Sequence, residues 1–146
     1  VTRMFKGDNT SYEVSSPCSD MVSANLEIQA SEKTEAGVLL ASPLAAVTST
    51  GAGASVDNGA ATSAGGVAHL HIVAASTITT GITVKVQHSS NGSAWADLIS
   101  FTNSTDTGVQ RSTVAGTVKR YLRETRSAFV GGASKSAKIG VSFARR

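Results

Sequence analysis

The chain has 146 residues, enough for one ordinary domain or two small ones. It is 40% hydrophobic but only 16% charged, well under the roughly 25% of an average soluble domain, and Ser, Thr, Ala and Gly fill the gap. Cys18 is the only cysteine, which excludes an internal disulfide and a cysteine-based zinc site, and no run approaches the ~18 apolar residues of a membrane helix.

The net charge of +3 hides an asymmetry. Residues 1–106 hold four Lys/Arg against nine Asp/Glu, a balance of −5; residues 107–146 hold nine Lys/Arg against Glu124 alone, a balance of +8. Opposite signs on two parts of one chain suit subunits steered together head to tail. A basic patch for nucleic acid is a second reading. Solvated strand faces, with Lys and Arg guarding exposed edges, are the plainest one.

In chain order, Thr2 to Phe5 reads as the tail of a strand already under way, so further sequence is expected upstream of Val1. Ser11 to Ser16 is a short β-prone run ended by Pro17. Val22 to Ala30 alternates cleanly: Val22, Ala24, Leu26 and Ile28 on one face, Ser23, Asn25, Glu27 and Gln29 on the other. Gly37 to Ala41 is a third apolar run. Residues 1–47 thus predict a small β-sheet segment without a convincing core, to be completed by a neighbouring subunit. Thr48 to Gly66 is a Gly/Ala/Ser-rich loop or linker.

Residues 67–146 predict an antiparallel β-sandwich, so the fold class is all-β. Val67 to Ala75 is apolar on both faces. His69 and His71 share one side of it, but only His88 remains to complete a metal site, and core or surface histidines are the simpler reading. Ile82 to Phe101 is the clearest hairpin, with Ile82, Val84, Val86 and His88 alternating with polar residues, Asn91-Gly92 as a tight turn, and a return through Trp95, Leu98, Ile99 and Phe101. Val109 to Ala115 follows. In Val118 to Arg126 neither face is cleanly apolar, which predicts an edge strand or one that meets a partner. Gly131-Gly132 reads as a turn before the last strand, Ala137 to Phe143.

Nucleophile-elbow and P-loop patterns are absent, and the carboxylates are scattered singly, so no enzyme activity and no cofactor are expected. Asn9, Asn91 and Asn103 match the glycosylation acceptor pattern, as chance allows in so Ser/Thr-rich a chain. Trp95 and Tyr121 suggest a sugar-stacking platform; a core or rim plug is the simpler role for Trp95.

The segments SYEVSSPCSDMVSANLEIQAS, VAHLHIVAAS, ITVKVQHSSNGSAWADLISF and VAGTVKRYLRE resemble the C-terminal portion of tail-tube (major tail) proteins of long-tailed bacteriophages. The resemblance covers most of residues 10–126 and implies an immunoglobulin-like sandwich over 67–146. It also implies a virion structural protein, made in the host cytoplasm. Its partners would be copies of itself in rings or tubes and other virion proteins, with non-specific passage of DNA and no membrane. Subunit-interface candidates are Val22, Leu26, Ile28, Lys119, Arg120, Tyr121 and Arg123. Alternatives are a capsid decoration or surface protein and a carbohydrate-binding sandwich module.

Overall fold

The computed structural model describes residues 35–146 in full and residues 2–4, 7–15 and 23–30 as backbone strands. The strands are β1 (Thr2–Met4), β2 (Gly7–Ser15), β3 (Ser23–Ala30), β4 (Glu35–Ala41), β5 (Gly51–Ala52), β6 (Val56–Asp57), β7 (Gly66–Ser89), β8 (Ala96–Ser100), β9 (Gly108–Val114) and β10 (Tyr121–Arg145). Among the described residues every regular element is a strand, so the protein is all-β. The chain divides into two compact units, one of Val1–Thr2 with Gly37–Arg146 and one of Arg3–Ala36.

The larger unit is built on β7 and β10, strands of 24 and 25 residues. They pair antiparallel from end to end, Gly66 opposite Arg145 and Ser89 opposite Tyr121. The strand order is β1-β4-β10-β7-β8, with β5 and β6 also on β10 and β9 also on β7. Each half of the ribbon has its own flanking strands. β9 lies along Gly66–Ile72 of β7, and β8 along 85–88. Beyond β10, β4 pairs with 141–143, β5 with 125–126 and β6 with 121–122.

The sheet is curled, and one core receives side chains from both halves of the ribbon. Leu70, Ile72, Ile139, Val141 and Phe143 come from one half; Ile82, Val84, Val86 and Leu122 come from the other, joined by Ile99 of β8. These are the inward positions of period-two alternation. Burying each such side chain stabilises by roughly 1.5–3 kcal/mol. The eight strands belong to one continuous sheet, because β7 and β10 are long enough to run through both halves.

One expected chain break is a bend within these strands. Gly131-Gly132 reads as a turn, yet β10 continues through it, and β7 opposite runs unbroken as well. The ladder goes from Gly131–Ile78 to Ser136–Ser76, so residues 132–135 are opposed by Thr77 alone. Such a bulge kinks the bulged strand and sharpens its twist. Thr77 is left-handed at φ 51° and Gly81 has φ 122°, conformations that concentrate at such corners. Asn103 buttresses the bend, donating from Nδ2 to Thr80 O at 2.7 Å and accepting from Thr83 Oγ1 at 3.2 Å.

The Ile82–Phe101 hairpin forms as β7 and β8, with Val86 opposite Ile99 and His88 opposite Ala96. Its reversal runs over residues 90–95, wider than the two-residue turn expected. Gly92 supplies a positive φ of 74°. Asn91 acts through its side chain instead: Oδ1 accepts from the N–H groups of Ser93 and Ala94 at 3.0 and 2.9 Å. Buried Ser89 closes the turn, its Oγ accepting from Gly92 N at 3.0 Å.

The segment 48–66 lies along β10 through β5, β6 and the Thr62–Val118 bridge. Backbone pairing needs no apolar side-chain pattern, which is why so small-residue a stretch reads as a linker. The start of β10 is therefore a central strand with neighbours on both sides, and the expected edge position is corrected.

The smaller unit contains a two-stranded sheet, β2 with β3. Its register sets Tyr12 opposite Leu26, Val14 opposite Ala24 and Asn9 opposite Ile28.

Candidate functional site

A group of charged and aromatic residues of the larger unit gathers around the start of β10. Leu122 and Glu124 point inward and are buried, while Tyr121, Arg123 and Thr125 are half-buried on the other face. Register brings Asp97 of β8, Gln87 of β7 and Arg123 of β10 into one row.

That row is a closed network. The Arg123 guanidinium lies 4.1 Å from the centroid of the Trp95 ring. Its Nε and Nη2 both donate to Gln87 Oε1, at 2.9 and 2.8 Å. Gln87 Nε2 donates to Asp97 Oδ1 at 2.8 Å, and Lys85 Nζ donates to Asp97 Oδ2 at 2.7 Å. The Lys85 and Gln87 hydrogen bonds hold the Asp97 carboxyl below the usual carboxylate range. One face of Trp95 is thus occupied by Arg123 and is closed to a stacking ligand.

Beside it, Arg120 forks onto Asp57 of β6, Nε to Oδ1 at 2.7 Å and Nη2 to Oδ2 at 2.6 Å. Its guanidinium also sits 5.0 Å from the Tyr121 ring centroid. The Arg120 hydrogen bond, with one from Gly59 N–H, pulls the Asp57 carboxyl down to about 2. Asn58 secures the same spot, donating from its backbone N–H and from Nδ2 to Arg120 O, each at 3.2 Å.

Arg145 is a clamp beneath this corner. Nη1 donates to Val118 O at 2.9 Å, and Nη2 to Lys119 O at 2.6 Å and Arg120 O at 3.1 Å. The Lys119 N–H donates to His88 Nδ1 at 3.3 Å. Burial, then the positive charges of Lys119 and Arg145, push the His88 imidazole below its ordinary value. Neutral His88 is the form that can accept this bond.

Glu124 is the buried acid of the site, 1% exposed, with Oε1 2.7 Å from Arg126 Nη1. Burial raises its pKa against the pull of Arg126. Its Oε2 has no hydrogen-bond partner. Arg126 reaches on to Ser49 O at 3.1 Å, and Gly53 N–H donates to Glu124 O at 3.1 Å, so the 49–53 segment is tied down over this pair.

Of the interface candidates, Lys119, Arg120, Tyr121 and Arg123 fall together at this corner. Leu26 and Ile28 lie in β3 of the smaller unit, and Val22 lies outside the described residues. His69 and His71 point to the outer side of β7, and among the described residues no group of three His, Cys, Asp or Glu is placed to hold a metal ion. The Asp57–Arg120 pair and the Arg145 clamp escape sequence reasoning, since their partners are 63 and about 26 residues away with no spacing rule to link them.

Chemically the corner is a set of cation–carboxylate and cation–aromatic contacts. Asp57 and Asp97 are made stronger acids, the opposite of what proton transfer near neutral pH asks of a carboxylate. No helix among the described residues is long and apolar enough to cross a membrane. Comparison of the chain with protein-family models, curated proteins and solved structures finds no match.

Proposed function

We propose that the chain is a self-assembling structural subunit, of the kind that builds a phage tail tube. It would form rings with other copies, and the rings would stack into a conduit for DNA within a virion. One observation carries this reading: a separate unit of net negative charge is carried by a chain whose larger unit is net positive. Residues 3–36 hold six acids and three bases, while residues 37–146 hold ten Lys/Arg and four Asp/Glu. An isolated two-stranded sheet is marginal in water. A neighbour of opposite charge supplies both the steering and the missing surface. Contacts between different patches on successive copies propagate as rings or filaments.

The likeness to tail-tube proteins in the Asn91-Gly92 hairpin and the Val118–Glu124 strand supports the tube version over a capsid decoration. Electron microscopy of purified protein, with sedimentation velocity across a concentration series, tests the proposal. Rings or tubes are expected. Discrete small oligomers would favour the decoration protein, and a monomer at every concentration would overturn both.

A further inference from the structure

We infer that the middle of the β7–β10 ribbon is the docking site for the β2–β3 hairpin of a second copy. This rests on the self-assembly reading above and names the contact that would propagate it. Over residues 73–79 of β7 and 127–136 of β10, the two strands pair only with each other among the described residues. β9 stops at Ile72, β8 begins at Lys85, β5 reaches no further than Arg126, and the next bridge on β10 is at Ala137. Among the described residues, both edges of this stretch therefore leave backbone N–H and C=O groups open for a further strand.

The stretch is apolar and basic. Val73 and Val130 are 54% and 48% exposed, large values for valines in the interior of long strands. Residues 73–79 and 127–136 contain Lys135 and no acid at all, and Lys138 follows two residues past the stretch. The hairpin of residues 7–30 is its counterpart: two strands that, among the described residues, pair with each other alone, with four acids and no base. Glu13 lies opposite Asn25 and Glu27 opposite Ser11, so the acids recur along both of its strands. The ribbon is locally two strands wide over this stretch and the hairpin is two-stranded; joined edge to edge they make four strands, past the three at which a sheet becomes stable. The two surfaces differ, so a copy that offers its hairpin to one neighbour still has its ribbon free for the next.

A charge swap on the full chain tests this. Lys135→Glu with Lys138→Glu, and separately Glu13→Lys with Glu27→Lys, are each expected to raise the concentration needed for assembly about tenfold or more. Combining all four substitutions is expected to restore assembly to near the wild-type concentration. Far-ultraviolet circular dichroism and Trp95 fluorescence check that each variant folds. Hydrogen exchange of the wild type gives a second readout that needs no variant: amides of 73–79, 127–136 and 7–30 should gain protection together as concentration rises. If the wild type assembles but the charge reversals change nothing, this contact is overturned while the self-assembly reading stands. If the wild type stays monomeric throughout, both fail. Concentration-independent protection of the hairpin in a monomer would mean it folds onto its own copy, which also overturns the inference.

Discussion

Asp57 and Arg120 meet in a two-bond fork that joins β6 to the start of β10 across 63 residues of sequence. Both side chains are more than 40% exposed, so solvent and salt screen the pair. The Asp57 pKa is depressed to about 2, so its stabilising effect is present above its ordinary value of 3.8 and is lost as pH falls through about 2. Asp57→Asn should therefore melt slightly below the wild type at pH 5–7. That gap should close as the pH is lowered toward 2, and narrow at high salt. A gap that stays constant with pH would show that the fork contributes nothing through its charge.

Glu124 carries the opposite sign. Burial raises its pKa, so the folded state takes up a proton more readily than the unfolded chain. Its contribution is greatest below its ordinary value and declines as pH rises through the raised folded value. Glu124→Gln fixes the neutral form. The melting temperature of the wild type, relative to this variant, should fall as pH is taken from 4 to 7. A relative rise over that range would mean that Arg126 outweighs desolvation.

Trp95 is the sole tryptophan, which makes its stack with Arg123 directly observable. Arg123→Ala uncovers the ring and unties Gln87. Fluorescence emission should shift to the red, with a loss of about 0.5–1 kcal/mol in denaturant unfolding. An unshifted spectrum would show that the guanidinium does not cover the indole in solution.

Gly37 sets how closely β4 approaches β10. A Cβ placed there would collide with the carbonyl oxygen of Phe143 and lie 2.7 Å from its carbonyl carbon, both backbone atoms that cannot rotate away. Gly37→Ala should cost about 1–3 kcal/mol by forcing the strands apart. Hydrogen exchange should quicken at residues 38–41 and 141–143 before the rest of the sheet.

The sequence was most legible where one face is apolar and the other polar. Ile82, Val84 and Val86 against Thr83, Lys85 and Gln87 describe a strand unambiguously, and the hairpin with β8 follows. It was least legible where charge is buried or backbone alone decides. Glu124 points inward because Arg126, two residues on, shares its face, so neither face of that strand looks apolar. The glycine pair at 131–132 reads as a stop, yet the partner strand carries β10 past it through a bulge. Of the site, Tyr121, Lys119, Arg120 and Arg123 could be named from sequence as a group. Their tie to Asp57, Trp95, Gln87 and Arg145 is set by the register of strands far apart in the chain.

The end-to-end pairing of β7 with β10 also has a kinetic side. Gly66 finds its partner in Arg145, 79 residues further along the chain. Ladders of such wide sequence separation form slowly. The core cannot be enclosed until residues 137–145 have left the ribosome and zipped along their mate. Until then the chain is an open set of strand edges.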